Sequence, residues 1–555
     1  MTDLPTGRTE RAAAAPPSAG SGILPWVHRH AAAAIVLAGV AIRLVSWGVG
    51  VARATPMQLA GRTPDDAYYF LVIARNLAAG DGPTFDGVEA TTGYQPLWQG
   101  LLAAFALVVP DAQQLRVALV LGGLLALAGF VAMARATHAV VALTPFGFAL
   151  GLAVASGPLA WDRTVNGMEG AAVVAAMGLV ALAAHRWWQT PTMTAMGLVG
   201  AAGGLLCLGR TSQVVTIAIV PLLLLWGVVR SGRQVSLLRQ LAAWAVGAAF
   251  VWLPWFLWSW ATVGTTSSSA GAVKAYWQER TTGGFPSRAG LDQTAAAAAT
   301  ELWRQVSGVA PFTYDWPGVA RRLIELVIVA VVVWGVVRVL RRASMAVVVV
   351  APALAVVTRY GVELLWIPNM RASWYTAPLF TLTGLGVAVA TSWLVRRSAS
   401  SAAALRARTL PRPARIGAQV VFGLAVVALV GQQAATIPPT WGEANWEAAQ
   451  ELRSYPPSTR IGSFDTGSLG YVRPGVVNLD GLVRGPDYVE EVTSGRPLAE
   501  VVVDEDLDLL VGRLVPGDAR LPDCAVPEWR SSQEVLLDGR REPVRIWSLG
   551  SCPSG

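Results

Sequence analysis

Charge is what this 555-residue chain has least of. Only 14% of its residues are Asp, Glu, Lys or Arg, while 54% are hydrophobic and the mean hydropathy is +0.47. Soluble domains carry about 25% charged residues, so the composition excludes an ordinary soluble enzyme and implies a polytopic membrane protein. Lysine is nearly absent: Lys274 is the single example among 43 basic residues. Histidine is scarce too, with His28, His30, His138 and His185 scattered and no Cys/His cluster at metal-ligand spacing. Zinc sites of the usual kind are therefore excluded. The net charge of +8 does not point to nucleic acid, because the arginines cluster beside apolar segments, where they orient helices.

Apolar runs near 20 residues suit a hydrocarbon layer about 30 Å thick. They predict crossings at 31–51, 113–134, 139–160, 169–185, 194–210, 212–229, 240–262, 322–340, 344–359, 374–395 and 415–434. The run 94–110 is ambiguous. If it does not fully cross, Arg8, Arg135, Arg186, Arg230, Arg338 and Arg396 all fall on one side. The positive-inside rule then favours eleven crossings, with 94–110 re-entrant or lying along the outer face, the N-terminus cytoplasmic and the C-terminus outside. Residues 1–30 read as a disordered cytoplasmic N-terminus. Residues 31–434 read as the membrane domain, with outer loops 54–93 and 264–320.

That topology gathers the polar candidates on one face, clear of all four histidines. Two adjacent acids, Asp65 and Asp66, stand in Arg62-Thr-Pro-Asp-Asp-Ala-Tyr-Tyr-Phe70 at the mouth of the bundle. Carboxylates are expensive to hold near a low-dielectric region, so the pair is either a working site or a solvated loop with an N-cap for the amphipathic helix predicted at 66–79. Gly80, Gly82 and Gly87 read as turn residues after it, not as a phosphate fingerprint, since no strand precedes them. Glu169 opens a crossing after Asn166-Gly-Met; it is a dipole-favoured first-turn acid or a site residue. Arg210, between two apolar runs, calls for a carboxylate or phosphate partner. Arg371, followed by Trp374 and Tyr375, is an interface anchor or a phosphate contact. Lys274 is a survivor of coding bias or a compact ammonium for a phosphate, with Ser267, Ser268 and Ser269 as further donors. Of the 23 tryptophans, Trp98 is the one placed to line a site.

After Gln433 the apolar runs shorten. A helix from Trp446 to Arg453 and strands at Arg460–Phe464, Val476–Leu479, Leu507–Val511 and Val544–Leu549 predict a small α/β domain over 440–555. Cys524 and Cys552 fall in it, in a compartment where disulfides persist, and we expect them to be bonded. Cys207 is intramembrane and reads as packing.

The stretches Asp65-Asp66-Ala-Tyr-Tyr-Phe, Ala74-Arg-Asn-Leu-Ala-Ala-Gly80 and Thr91-Thr-Gly-Tyr-Gln-Pro-Leu-Trp98 resemble the first outer loop of bacterial GT-C glycosyltransferases, which transfer a sugar from a polyprenyl-phosphate donor. Asn166-Gly-Met-Glu169 is similar to a second element of that family. Ser463-Phe-Asp-Thr-Gly-Ser-Leu-Gly-Tyr471 and Val476-Val-Asn-Leu-Asp-Gly-Leu482 look like the outer domain of one subgroup. The element around Tyr94, Gln95 and Trp98 is also similar to the cell-wall arabinofuranosyltransferases. The resemblance implies an all-α GT-C bundle with an extracytoplasmic α/β domain in the cytoplasmic membrane. It further implies inverting transfer, of arabinofuranose or mannose among other sugars, to a cell-envelope glycan or lipid. It implies Asp65 as general base and Asp66 as its orienting partner. Lys274, Arg210 and Arg371 would hold the leaving phosphate, and Glu169, Tyr94, Gln95, Trp98 and Tyr375 would line the site. Some relatives use a divalent cation, for which Asp65, Asp66 and Glu169 are the candidate ligands. A lipid or solute transporter and a non-catalytic envelope assembly factor are the rival classes; no pseudo-symmetric halves favour the first.

Overall fold

The computed structural model describes residues 30–282, 373–404, 442–537 and 540–550, with isolated positions at 292 and 552 and within 351–358 and 416–428. Among the described residues, six helices are long and apolar enough to cross a membrane: Ala31–Arg53, Asp111–Val141, Gly170–Gln189, Thr211–Arg230, Leu237–Val263 and Ala377–Arg397. Three shorter apolar helices, Pro96–Ala106, Pro145–Ala155 and Met193–Gly209, complete the described bundle.

One expected crossing is corrected. The segment 139–160 is not one helix: the chain leaves its helix at Ala142, a left-handed residue with φ 50°, restarts at Pro145 and breaks again before the short helix Pro158–Thr164. Proline at a first helical position is favoured, whereas inside a helix it costs a backbone bond. The 194–210 segment is present as the helix Met193–Gly209 of 17 residues, about 25 Å long at 1.5 Å per residue, at the short end of the range for a crossing. The ambiguous run 94–110 contains a helix of 11 residues, about 16 Å long, which cannot cross unaided. The predicted segments at 322–340, 344–359 and 415–434 lie outside the described residues or are described only at scattered positions.

Small residues let the helices meet closely, as they do where no hydrophobic force separates helix from lipid. A Cβ on Gly200 would lie 2.0 Å from the carbonyl oxygen of Trp244, so Met193–Gly209 and Leu237–Val263 touch backbone to backbone. A core of Phe130, Met133, Met177, Met196, Leu206 and Leu224 fills the space between helices.

The helix predicted at 66–79 is present as Asp66–Ala79, and Gly80 ends it in the left-handed conformation with φ 93°. Glycine takes that conformation at no steric cost. The helix buries Tyr68 through Ala74 continuously, so it is a core helix and not a surface one.

The C-terminal domain carries a five-stranded sheet in the order β2-β1-β3-β5-β4, where β1 is Ile461–Ser463, β2 Val477–Asn478, β3 Leu509–Gly512, β4 Val526–Leu537 and β5 Arg540–Ser548. β1 runs parallel to β2 and β3, while β5 is antiparallel to β3 and β4. Side chains alternate across β3 as strand geometry requires. Leu509 and Val511 join Ala448, Leu452 and Ile546 on one face; Leu510 joins Val492, Val501 and Trp547 on the other. Both faces are thus covered by helices. Cys524 and Cys552 are joined across 28 residues, with Cα atoms 5.2 Å apart.

This domain is welded to the first loop. Arg484 forms a bidentate pair with Glu89 at 2.8 Å and 2.8 Å, and also reaches Glu505 at 3.1 Å. Its carbonyl accepts from Thr91 Oγ1 at 2.9 Å and Ser269 Oγ at 3.0 Å.

Candidate active site

The first acid does not cap its own helix. Asp65 is buried, and its carboxylate accepts from the backbone N–H groups of Gly467 at 2.6 Å and Ser468 at 3.0 Å. It also accepts from Ser468 Oγ at 2.7 Å and Asn445 Nδ2 at 3.4 Å. Gly467 opens the helix Gly467–Val472, and a Cβ there would sit 2.0 Å from the Asp65 carbonyl oxygen. Only glycine admits this approach. Burial raises the Asp65 pKa and the charge of Asp465 adds to the rise, while the hydrogen bonds from Ser468 and Gly467 oppose it.

Asp66 stands one position on, in a different environment. Burial pushes its pKa up to about 6 against the pull of the Lys274 charge, with Asp65, Asp465 and Glu169 adding to the rise. A base with a pKa near the working pH is what proton abstraction needs.

Across from the acids lies a cationic cluster. Arg210, at the end of helix Met193–Gly209, pairs with buried Glu169 and lies 3.5 Å over the ring of Tyr375. Lys274, on the helix Ser269–Thr282, donates to the Tyr375 hydroxyl at 2.9 Å. Burial alone would depress the Lys274 pKa, but Tyr375 and Asp66 raise it, so the ammonium stays charged. Five chain-distant segments, those of Asp66, Glu169, Arg210, Lys274 and Tyr375, therefore meet at the end of the bundle that carries the C-terminal domain.

The remaining candidates sort by what they already hold. Gln95 Oε1 accepts from the Thr211 N–H at 3.1 Å, which fixes the turn after Arg210. Trp98 is fully buried and donates to the Gly167 carbonyl at 2.8 Å, so it holds the Asn166–Met168 loop and does not line an open site. Tyr94 is buried. Ser269 is spent on Thr92 and the Arg484 carbonyl, and Ser268 accepts from Gly271 N. Arg371 lies outside the described residues. The set Asp65, Asp66 and Glu169 does not assemble as metal ligands: Asp65 is taken by Gly467 and Ser468, and Glu169 by Arg210. Among the described residues no three His, Cys, Asp or Glu side chains come together to hold a metal ion.

Two acids of the C-terminal domain enter the site unannounced. Asp480 lies 3.5 Å from the Tyr69 hydroxyl and accepts from Leu482 N at 2.8 Å. Burial pushes its pKa up to about 8, opposed by the Leu482 bond, with Asp66 and Asp465 raising it further. Asp465 pairs with Arg513 at 2.7 Å. Both sit in turns following strands of the motifs Ser463-Phe-Asp-Thr-Gly and Val476-Val-Asn-Leu-Asp-Gly. That placement was the available signal, but nothing local says that these turns fold onto the first loop.

Acids and cations thus converge at the end of a helical bundle, under a docked α/β domain. Among solved structures the chain is similar to ArnT from Cupriavidus metallidurans bound to undecaprenyl phosphate, at 15% identity and a TM-score of 0.51 over 95% of this chain and 98% of that one. It is likewise similar to the apo state of that protein, at 14% identity and a TM-score of 0.52 over 93% and 98%. These likenesses give the fold. The chain also aligns with the arabinofuranosyltransferase AftD from Mycobacteria at 16% identity, over 95% of this chain but only 40% of AftD, with a TM-score of 0.37. No family model matches the chain, and no curated protein does.

Proposed function

We propose that the chain is an inverting glycosyltransferase that takes a sugar from a polyprenyl-phosphate donor on the outer face of the cytoplasmic membrane and passes it to a cell-envelope glycan or lipid. The observation that carries this reading is the facing of Asp66 and the Lys274–Tyr375–Arg210 cluster at one end of a GT-C bundle.

In this reading Asp66, and not Asp65, is the base. Asp65 spends both oxygens on the C-terminal domain; it positions Asp66 by fixing the start of the helix. Asp66 removes the acceptor hydroxyl proton as that oxygen attacks the anomeric carbon. The bond from that carbon to the phosphate oxygen breaks through an oxocarbenium-like transition state, and the phosphate departs with the electron pair. The ammonium of Lys274 and the guanidinium of Arg210 stabilise the charge that develops there, acting as fixed electrostatic partners in place of a proton donor. Glu169 keeps Arg210 oriented, and Tyr375 lies between the two cations. The ArnT structure holds undecaprenyl phosphate, which supports a lipid phosphate donor here.

The test is transfer by the purified protein in nanodiscs, with radiolabelled polyprenyl-phosphate arabinofuranose and polyprenyl-phosphate mannose as alternative donors. Transfer from one of them, lost in Asp66→Asn, supports the reading. No transfer from either by membranes that overproduce the wild type, or full transfer by Asp66→Asn, overturns it.

A further inference from the structure

Behind the acid pair the structure holds an open cavity of about 370 Å³, walled by the first loop, the start of helix Asp111–Val141 and the C-terminal domain. Tyr68 and Arg75 line it, two and nine residues beyond Asp66. At about 100° per residue both stand on the side of their helix opposite Asp66. The cavity therefore does not open onto the face that Asp66 presents.

Its place along the bundle is that of a lipid headgroup. Arg116 stands on the second turn of Asp111–Val141 and donates to the carbonyl of Ala54, the residue that caps Ala31–Arg53. Both helices are long and apolar enough to cross a membrane. Where such helices leave the hydrocarbon, arginines and aromatic rings stand at the level of the headgroups. Trp446 and Tyr471 supply rings to this wall.

The charges decide which ligand. Arg75, Arg116 and Arg453 line the cavity, and Asp111 is the one acid that does so among the described residues. Asp111 is already spent: it lies 3.5 Å from Arg75 Nε and accepts from Gln114 Nε2 at 3.1 Å. Arg116 meets neutral acceptors, the carbonyls of Ala54 at 2.7 Å and Ala112 at 3.0 Å and Gln113 Oε1 at 3.4 Å, and its Nε is buried without an acceptor. Arg453 is exposed and likewise donates to a neutral group, Gln450 Oε1, at 3.1 Å. Burial raises the Tyr471 pKa and the charges of Arg75 and Arg116 both oppose it, which places two of the cations around one phenol. Two positive charges in this wall are thus answered only by neutral oxygens. Guanidinium groups bind the oxygens of a phosphoryl group through charge-assisted, often bidentate hydrogen bonds. A neutral ligand would leave both charges as they are, and a cation would be repelled. The volume lies in the range of small-ligand sites, with room for a phosphoryl group and what it is attached to.

We propose that this cavity binds a phosphoryl anion at the membrane surface, separately from the transfer site, between Arg116 of the bundle and Arg453 of the C-terminal domain. An anion held there ties the domain to the two crossings beside it. The inference stands on this cavity and not on the proposed function.

The experiment uses the full chain, delipidated in an uncharged maltoside detergent. It is titrated with short-chain phosphatidylglycerol, with inorganic phosphate, and with the matching diacylglycerol as a probe without phosphate. Binding is read by native mass spectrometry and by the melting temperature, which a ligand of the folded state raises. Saturable binding of a phosphate-bearing probe is expected. Phosphatidylglycerol alone identifies a lipid headgroup; inorganic phosphate binding as tightly identifies a free phosphoryl group, and either supports the site. Arg453→Gln, at an exposed position, should weaken binding at least about tenfold without threatening the fold, as loss of a charge-assisted hydrogen bond does. Arg116→Gln should weaken it by as much. Lys274→Ala should bind as the wild type does. No saturable binding of either phosphate probe, undiminished binding by Arg453→Gln, or diacylglycerol binding as tightly as phosphatidylglycerol overturns the proposal. Binding that is lost in Lys274→Ala belongs to the transfer site and overturns it equally. Transfer without this binding would sink the present inference alone; binding without transfer would sink only the catalytic reading.

Discussion

Replacing each acid of the pair by its amide separates a base from a latch. Asp65→Asn keeps one carbonyl oxygen but turns an NH₂ toward a site where the Gly467 and Ser468 N–H groups and the Ser468 hydroxyl now converge within 2.6–3.0 Å. At least one buried donor is then left without an acceptor and the charge-assisted character of the others is lost. At about 1–3 kcal/mol for each buried group left unsatisfied, the expected destabilisation is roughly 2–5 kcal/mol. Asp66→Asn removes no such set. Its expected effect is kinetic, a fall in turnover on the order of 10²–10⁴ from loss of a general base. The assay pairs thermal unfolding of purified protein with radiolabelled transfer. In the wild type the rate should rise with pH through about 6, the region to which burial pushes Asp66, because only the ionised carboxylate accepts a proton. Asp65→Asn should unfold at lower temperature and lose activity with its fold. An Asp65→Asn variant that unfolds as the wild type does yet transfers nothing, beside an active Asp66→Asn, would refute the reasoning and return the base to Asp65.

Three further outcomes are expected. Lys274→Ala should lower turnover on the order of 10²–10³, the usual cost of one preorganised donor to a developing anion, and Lys274→Arg should restore only part of it because a planar fork is not a point charge; unchanged turnover and donor affinity in the alanine variant would remove Lys274 from the site. Asp480, with its pKa pushed up to about 8, holds a proton in the folded state that the unfolded chain has released above about pH 4. Its contribution to stability therefore falls by at most about 1.4 kcal/mol per pH unit between those values and levels off above about 8, and Asp480→Asn should flatten that part of a melting-temperature profile between about pH 4 and 8. Removing the Cys524–Cys552 bond by a double serine substitution should cost on the order of 3 kcal/mol through a freer unfolded loop, read as a lowered melting temperature; a melting temperature equal to that of the wild type would show that the bond does not constrain the domain.

Much of the frame is legible in the sequence because its signals are local. Helix Asp66–Ala79 follows from amphipathic spacing and the Gly80 stop, and four strands follow from short apolar runs between turn residues. β4 is missed because Pro527, Arg530, Ser531 and Ser532 read as a loop; it is an edge strand with register shifts, where proline and charge are tolerated. Hydropathy alone merges 139–160 into one segment, since Pro145 and the Gly157–Pro158 break are embedded in a continuously apolar run. The site is less legible. Arg210 calls for a partner from its position alone, but that Glu169 is the partner, and that Tyr375 lies beneath both Arg210 and Lys274, depends on contacts across 41, 165 and 101 positions of chain.

The different standing of the two adjacent acids has the same origin. By local chemistry Asp65 and Asp66 are equivalent carboxylates, and only the family resemblance ranks them, with Asp65 first. What tells them apart in the structure is the C-terminal domain, which begins more than 370 residues later and brings the N-terminus of helix Gly467–Val472 onto Asp65. The same docking sets Asp465 and Asp480 near Asp66, so the charge that raises the pKa of the proposed base comes partly from outside the bundle. Arg484 then secures the domain to the first loop through Glu89, and to the Lys274 helix through Ser269. The domain is therefore a wall of the site and not an appendage. Its contacts fix one acid and leave the next free to titrate, while the helix it touches through Ser269 also carries the proposed phosphate-binding ammonium.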